Sequence, residues 1–204
     1  MNIRSIHDPA FKTYGKVLEG ISLTEACKAA LMVKMPESGI AYLASVEALE
    51  TEPTIAAAAQ QFFGEATVQI GVCNGFNREM STVEYHKSSE VNVACTPLLL
   101  FLGHVWDLHG QSYDLSKLEV FRAEPGDVFE VYGTTLHFAP CQVEDSGFCS
   151  IVILPKGTGE VLPSPCSADP TLAKINKWLI THPDNAAMRA RGVPAGLTGS
   201  IRKV

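Results

Sequence analysis

The sequence is short of the features that announce several large function classes. No C-x-x-C pair occurs among its six cysteines, Cys27, Cys73, Cys95, Cys141, Cys149 and Cys166. The N-terminal stretch MNIRSIHDPAFK holds no apolar segment of a secretory leader. Without an oxidising compartment the cysteines read as buried or surface thiols, and a cytoplasmic setting is expected. A run of lysine and arginine is missing too: 16 basic residues face 22 acidic ones for a net charge of -6, and the ending Ile201-Arg202-Lys203-Val204 is too short to form a basic patch. That balance speaks against a nucleic-acid partner. The longest apolar run, Pro97–Gly103 (PLLLFLG), falls far below the roughly 20 residues of a membrane helix, so no membrane partner is expected. There is no repeat of fixed period and no low-complexity tract.

What is present is the composition of one folded domain. Hydrophobic residues make up 46% and charged residues 19% of the 204, which supports a real core and excludes a disordered chain. Ser22-Leu23-Thr24-Glu25 has the spacing of a capping box, with CKAALMVKM behind it as a helix that Pro36 and Gly39 stop. A second helix is expected from Thr51-Glu52-Pro53, with Pro53 at its first position, through IAAAAQQFF to Gly64. From Ala66 to about Leu154 the character changes to short β-rich runs between turn residues, among them ATVQIGVC, VNVAC, DVFEVYG and FCSIVILP. Their spacing predicts an antiparallel sandwich or small barrel. Pro155 to Pro170 reads as a connecting loop, and Asp169-Pro170 as the opening of a last helix, TLAKINKWLI, before a glycine-rich tail. The expectation is a single domain over 1–204: an N-terminal extension over 1–65, a β core over 66–154, and a loop, helix and tail over 155–204.

The chemistry concentrates in VEYHKSSE, which spans Val83 to Glu90. Glu84 and His86 are two apart, so on a strand they share a face. Lys87-Ser88-Ser89 has turn composition, and VNVAC after it reads as the next strand, which returns Glu90 beside His86. A further imidazole, His137, follows a Pro125-Gly126 turn, a strand and a second turn at Gly133. Together Glu84, His86, Glu90 and His137 form a nitrogen and oxygen set that suits Zn, Mn, Fe, Co or Ni. The plain alternative is a solvated polar edge and a packed imidazole.

These motifs resemble those of the cupin superfamily, which run H-x-H-x(3,4)-E and then P-x-G-x(n)-H. Here Glu84-x-His86-x-x-x-Glu90 is followed by Pro125-Gly126 and His137. Glu84 stands where the common first histidine would be, and the Pro-Gly pair lacks the intervening residue. The pattern E-x-H followed by T-L-H-F-A-P is also similar to the YhcH/YjgK/YiaL group of sugar-linked cupins. The wider set YGTTLHFAPC, VILPKGTG, KINKWLITHP and GLTG resembles cupin-like proteins of unknown function. The resemblance implies a mainly β, cupin-type sandwich or barrel with peripheral helices, and His137 as the last metal ligand.

Around this set, Arg78 and Asn74 in VCNGFNREM, Tyr132 before Gly133, and Lys156 in LPKGTGE are candidate pocket residues. Arg78, Asn74 and Tyr132 would contact substrate, and Lys156 would move a proton or meet an anion. Each also reads plainly as an exposed loop or turn residue. Tyr85 alternates away from the ligand face and takes a packing role, as does His104 in FLGHVWDLHG. Glu84 is either a ligand or the catalytic base. The family likeness implies a metal-dependent enzyme on a small carbohydrate or sugar acid, working by isomerase- or epimerase-type proton transfer. The alternatives are a non-catalytic sugar-binding or regulatory cupin and an Fe(II)-dependent oxygenase. A homodimer is expected, with the apolar, Trp106-bearing run PLLLFLGHVWDL as its candidate face.

Overall fold

The octet Phe148–Pro155 (FCSIVILP) explains the layering of the molecule. Successive side chains on a strand point to opposite faces. Phe148, Val152 and Leu154 therefore enter one apolar cluster, and Cys149, Ile151 and Ile153 enter another. A strand buried on both faces can be apolar throughout, and its β-branched residues suit the pleated surface. The computed structural model describes residues 1–164 and 168–204; Cys166, read above as a thiol, lies outside the described residues.

In chain order the strands begin with β1 (Ile3–Ser5), β2 (Gly15–Val17), β3 (Ile40–Leu43), β4 (Val68–Gly75), β5 (Glu79–Met80) and β6 (Thr82–Tyr85). They continue with β7 (Glu90–Ala94), β8 (Leu98–His104), β9 (Tyr113–Asp114), β10 (Glu119–Ala123), β11 (Val128–Val131) and β12 (Thr135–Leu136). The last six are β13 (Cys141–Gln142), β14 (Phe148–Pro155), β15 (Leu172–Lys174), β16 (Lys177–Thr181), β17 (Leu197–Thr198) and β18 (Arg202–Lys203). One sheet has the order β1-β10-β8-β12, with β13 also on β8; a larger one runs β2-β11-β7-β14-β4-β3. The pairings within them are antiparallel except for β1 with β10. The two sheets sandwich a core that includes Leu98, Leu100, Leu102, Phe121, Phe129, Phe148 and Val152. This is the mainly β, antiparallel sandwich expected. Phe11 meets Phe121 and Phe129 edge-on at 5.4 and 6.2 Å, contacts worth about 0.5–1.5 kcal/mol each beyond the area they bury.

The outer face of the larger sheet is covered by α1 (Thr24–Leu31), α2 (Glu47–Glu50) and α3 (Pro53–Phe62). Ala26 and Ala30, one turn apart, let α1 sit close to the sheet. Pro53 opens α3 as expected, and Glu52 caps it by accepting from the Thr54 and Ile55 amides at 3.1 and 2.9 Å. The capping box is not formed: Leu23 occupies the cap position of α1, and the Ser22 hydroxyl bonds the Thr24 hydroxyl instead.

The other face of β8 packs against a third sheet, β15-β16-β6, through Leu99, Phe101, Val83 and Ile180. Leu98–Gly103 is thus buried from both sides, so this part of the apolar run offers no surface for a second copy; Trp106, beyond the strand, is 62% exposed. The third sheet corrects a sequence expectation. TLAKINKWLI is not a helix but the hairpin β15–β16, turned by Ile175-Asn176 with Asn176 left-handed at φ 53°. The open edge of β6 takes up Trp178–Thr181 in register with Thr82–Tyr85, and tertiary pairing overrides the local helical pattern. A short helix, α4 (Ala186–Ala190), follows it. Among the described residues no helix is long and apolar enough to cross a membrane.

Candidate metal centre

β6, β7, β12 and β16 each deliver a side chain to one buried point between the two large sheets. Glu84 lies on β6, His86 just beyond its end, and Glu90 opens β7 after the Lys87–Ser89 turn. His137 follows β12 and is fastened to Glu84 through the backbone: the Glu84 amide donates to the His137 carbonyl at 2.6 Å and the His137 amide to the Glu84 carbonyl at 2.9 Å. Gly133 lets the preceding turn pass over the His86–Ser88 backbone, where a Cβ would come within 3.1 Å of the His86 carbonyl oxygen. Glu84, His86, Glu90 and His137 are all buried, at 2–8% exposure. So much buried polarity requires partners or an ion.

The two imidazoles present the same nitrogen inward. His86 Nδ1 lies 2.8 Å from the Asn176 carbonyl oxygen and His137 Nδ1 lies 3.0 Å from that of Thr135. A carbonyl only accepts, so in each ring Nδ1 carries the hydrogen and the neutral ring offers a bare Nε2. His137 Nε2 is buried and has no hydrogen-bond partner among the described residues. Glu90 is held by the Asn92 amide on Oε1 at 2.8 Å. Its Oε2 lies 3.5 Å from His86 Nε2 and 3.4 Å from His137 Nε2, while Glu84 Oε1 is 3.9 Å from His86 Nε2. Donor atoms arranged tetrahedrally at about 2.1 Å from an ion stand about 3.4 Å apart. The spacing and the donor types therefore fit a divalent ion. Donors of Glu84, His86 and His137 all lie within 4.8 Å of one another, so these three with Glu90 could hold it. Burial opposes charge on both Glu90 and His137. Their mutual attraction prevails, holding Glu90 well below the usual carboxylate range and pushing His137 up to about 9.

A cavity of about 120 Å³ opens from this point. Its walls come from the sheet-to-sheet core: Leu100, Leu102, Val131, Val152 and Leu154, with Phe138 near the mouth. None of the four candidate pocket residues, the three expected to contact substrate and Lys156, lines this cavity. Arg78 is bound to Asp145 at the surface. Asn74, though buried, points its amide at the Val33 carbonyl oxygen under the helices. Tyr132 sits in the turn before β12, its amide bonded to the Tyr14 carbonyl oxygen, and Lys156 is exposed. The residue in the place imagined for Lys156 is Lys177, the first of β16. Its Nζ is 2.7 Å from Glu84 Oε2, and although burial opposes its charge, Glu84 raises its pKa. Lys177 and Asn176 were hidden by the helical reading of their segment. The alternation K-W-L-I-T and a turn-prone Asn were the signals for a hairpin. Tyr85 packs as expected, stacked on Trp178 at 5.3 Å, and His104 is stacked between Tyr14 and Trp106.

A profile described as a domain of unknown function, DUF4867, matches residues 3–201. The chain belongs to the DUF4867 family. No curated protein matches it. Among solved structures, this DUF4867 chain is similar to SnoN, the non-heme alpha ketoglutarate dependent epimerase from nogalamycin biosynthesis, at 16% identity over 66% of this chain and 71% of that one, TM-score 0.39. It is also similar to peruvianin-I, a cysteine peptidase from Thevetia peruviana latex, at 15% identity over 60% and 65%, TM-score 0.38. A Bacillus subtilis oxalate decarboxylase with Mn(II) centers matches at 12% identity over 60% and 28%, TM-score 0.35. The chain spans only about a quarter of the oxalate decarboxylase chains, 24% of the first. Likenesses this distant leave the reading of the site to its own residues.

Proposed function

We propose that this DUF4867 protein is a metal-dependent enzyme that moves a proton within a small molecule. The observation that carries the reading is the pair of bare Nε2 atoms facing Glu90 Oε2, in a buried cavity that also holds Lys177. His86, Glu90 and His137 would hold the ion, with Glu84 Oε1 beside them. Bound there, a divalent ion supplies Lewis-acid polarisation of a substrate oxygen. Glu84 Oε2 faces away from the imidazoles toward Lys177 and is the group placed to take a proton from the carbon next to a carbonyl. The Lys177 ammonium pairs with that carboxylate at 2.7 Å and can donate a hydrogen bond to the oxygen on which negative charge builds. Return of the proton to the neighbouring carbon, with the hydroxyl proton passing between the two oxygens, gives isomerisation; delivery of a proton from water to the opposite face of the same carbon, with the first proton released to solvent, gives epimerisation.

The carbohydrate reading rests on the motif likeness to the sugar-linked YhcH/YjgK/YiaL group. The polar end of the cavity suits two adjacent oxygens, which an open-chain sugar or a short oxo acid can present. The reading is tested by elemental analysis of protein purified without chelators, followed by anaerobic incubation in D₂O with aldoses, ketoses and short oxo acids. One bound ion per chain and deuterium entering the carbon next to a carbonyl are expected. Absence of any ion sinks the metal centre; turnover only with dioxygen would instead make it an oxygenase.

A further inference from the structure

We infer that the cavity takes a small monoanionic carboxylate with an apolar chain, rather than a polyhydroxylated one. The inference rests on the metal-centre reading for its polar end and on the walls alone for the rest. Asn92 and Thr158 also line the cavity but are bonded to Glu90 and Asn176, and Tyr42 adds a hydroxyl; the rest of the lining beyond the cluster of Glu84, His86, Glu90, His137 and Lys177 is mainly hydrocarbon: Leu100, Leu102, Val131, Val152 and Leu154. Each is at most 7% exposed and belongs to the core between the sheets. A sugar carries a hydroxyl on nearly every carbon, and a hydroxyl moved from water to such a wall without a partner is disfavoured. A methylene in the same place is favoured.

Charge at the polar end points the same way. With His86 and His137 neutral, as ligands to a metal are, the carboxylates of Glu84 and Glu90 outnumber the Lys177 ammonium by one negative charge. A divalent ion turns that into one positive charge in excess. Buried charge needs a counter-charge, and a single carboxylate supplies it where Lys177 also reaches. The apolar chain then runs back along β8 and β14 between the sheets.

The test is calorimetry on manganese-loaded protein with acetate, butyrate, hexanoate, gluconate and butyramide, the ion content of each sample being measured as well. Affinity is expected to rise about fourfold per added methylene from acetate to butyrate, the equivalent of about 0.8 kcal/mol. Hexanoate should bind at least tenfold tighter than gluconate, which has the same carbon count, and butyramide at least tenfold weaker than butyrate. Val152→Thr keeps the shape of the wall and adds a hydroxyl, so it should reduce butyrate and hexanoate affinity several-fold and leave acetate unchanged, with the melting temperature reporting that it still folds. A flat series, gluconate binding as well as hexanoate, or butyramide matching butyrate overturns the inference. If the ion is present when this happens, the metal centre itself stands. If no ion is held yet the chain-length dependence persists, the metal reading falls and the substrate class survives.

Discussion

Lys177 Nζ stands 2.7 Å from Glu84 Oε2, in a cavity that the pair shares with His86, Glu90 and His137. Lys177 thus offsets one of two carboxylates, and a bound ion would offset both. Lys177→Met leaves a buried carboxylate without its cation, a change that costs about 3 kcal/mol for a buried pair. The loss should appear in denaturant unfolding of the metal-free protein and shrink on loading with metal, while proton exchange into substrate falls sharply. Equal destabilisation with and without metal would show that Lys177 acts on packing and not on the charge of the cluster.

His86→Ala and His137→Ala are each expected to abolish bound metal while the sandwich stays folded. The core between the sheets is built from Leu98, Leu100, Phe121, Phe129 and their neighbours, and none of these contacts depends on an ion. Far-ultraviolet circular dichroism should match the parent, and elemental analysis should fall to background. Removing metal from the parent with a chelator should likewise lower its melting temperature without unfolding it at room temperature, since the stabilisation lost is that of ligand binding to the folded state alone. Full occupancy in either variant would falsify the ligand assignment.

The convergence of Glu84, His86, Glu90 and His137 was legible because parity and turn chemistry are local. Glu84-x-His86 shares a face on any strand, Lys87-Ser88-Ser89 reverses the chain, and Gly133 announces the turn before His137. The buried strands β8 and β14 could be read as well, since two-sided burial writes itself as an uninterrupted apolar run. The hairpin β15–β16 could not. Leu172, Ile175 and Leu179 also satisfy a helical spacing, and Asp169-Pro170 resembles a helix start. What decides the matter is the open edge of β6, nearly a hundred residues away in the chain, and short-range patterns do not carry that information. Lys177 enters the cavity only because that hairpin forms, so its place beside Glu84 is hidden with it. The cavity walls were equally hidden, because Leu100 and Val152 read as core whether or not a space lies beside them.

Asp169 ties the hairpin down and gives it a pH dependence. Its Oδ1 accepts from the Thr171 hydroxyl and amide at 2.6 and 3.0 Å, and its Oδ2 from Trp178 Nε1 at 2.9 Å. The Thr171 hydroxyl above all, together with these N–H donors, holds its pKa below the ordinary 3.8. A carboxyl depressed in the folded state stabilises fully above its unfolded value, and that contribution is lost as pH falls through the folded one. In a Trp106→Phe background, Trp178 emission should therefore be constant above pH 4 and change at a midpoint below 3.8. Asp169→Asn should remove that step. If emission changes only together with global unfolding followed by circular dichroism, the local link is absent.

Asn176 is the residue whose replacement separates aiming a ligand from being one. Its carbonyl accepts from His86 Nδ1 at 2.8 Å, fixing the ring with Nε2 inward. Its side chain accepts from the Lys87 amide at 2.9 Å and donates to the Ser88 and Thr158 hydroxyls at 3.0 and 3.1 Å, clamping the β6–β7 turn that carries His86 toward Glu90. It does this from a left-handed conformation, φ 53°, which Asn tolerates and most residues resist. Asn176→Gly keeps the backbone freedom and removes the clamp; Asn176→Ala removes the clamp and adds strain of about 1 kcal/mol. Loss of support behind a metal-bound histidine typically weakens metal binding by about 10- to 100-fold. Both variants should fall in that range for zinc, measured by competition with a chelating dye, and Ala should in addition melt at a lower temperature than Gly. Zinc affinity unchanged in the Gly variant would mean that the His86 orientation depends on the strand alone, and that the hairpin contributes only Lys177 to the site.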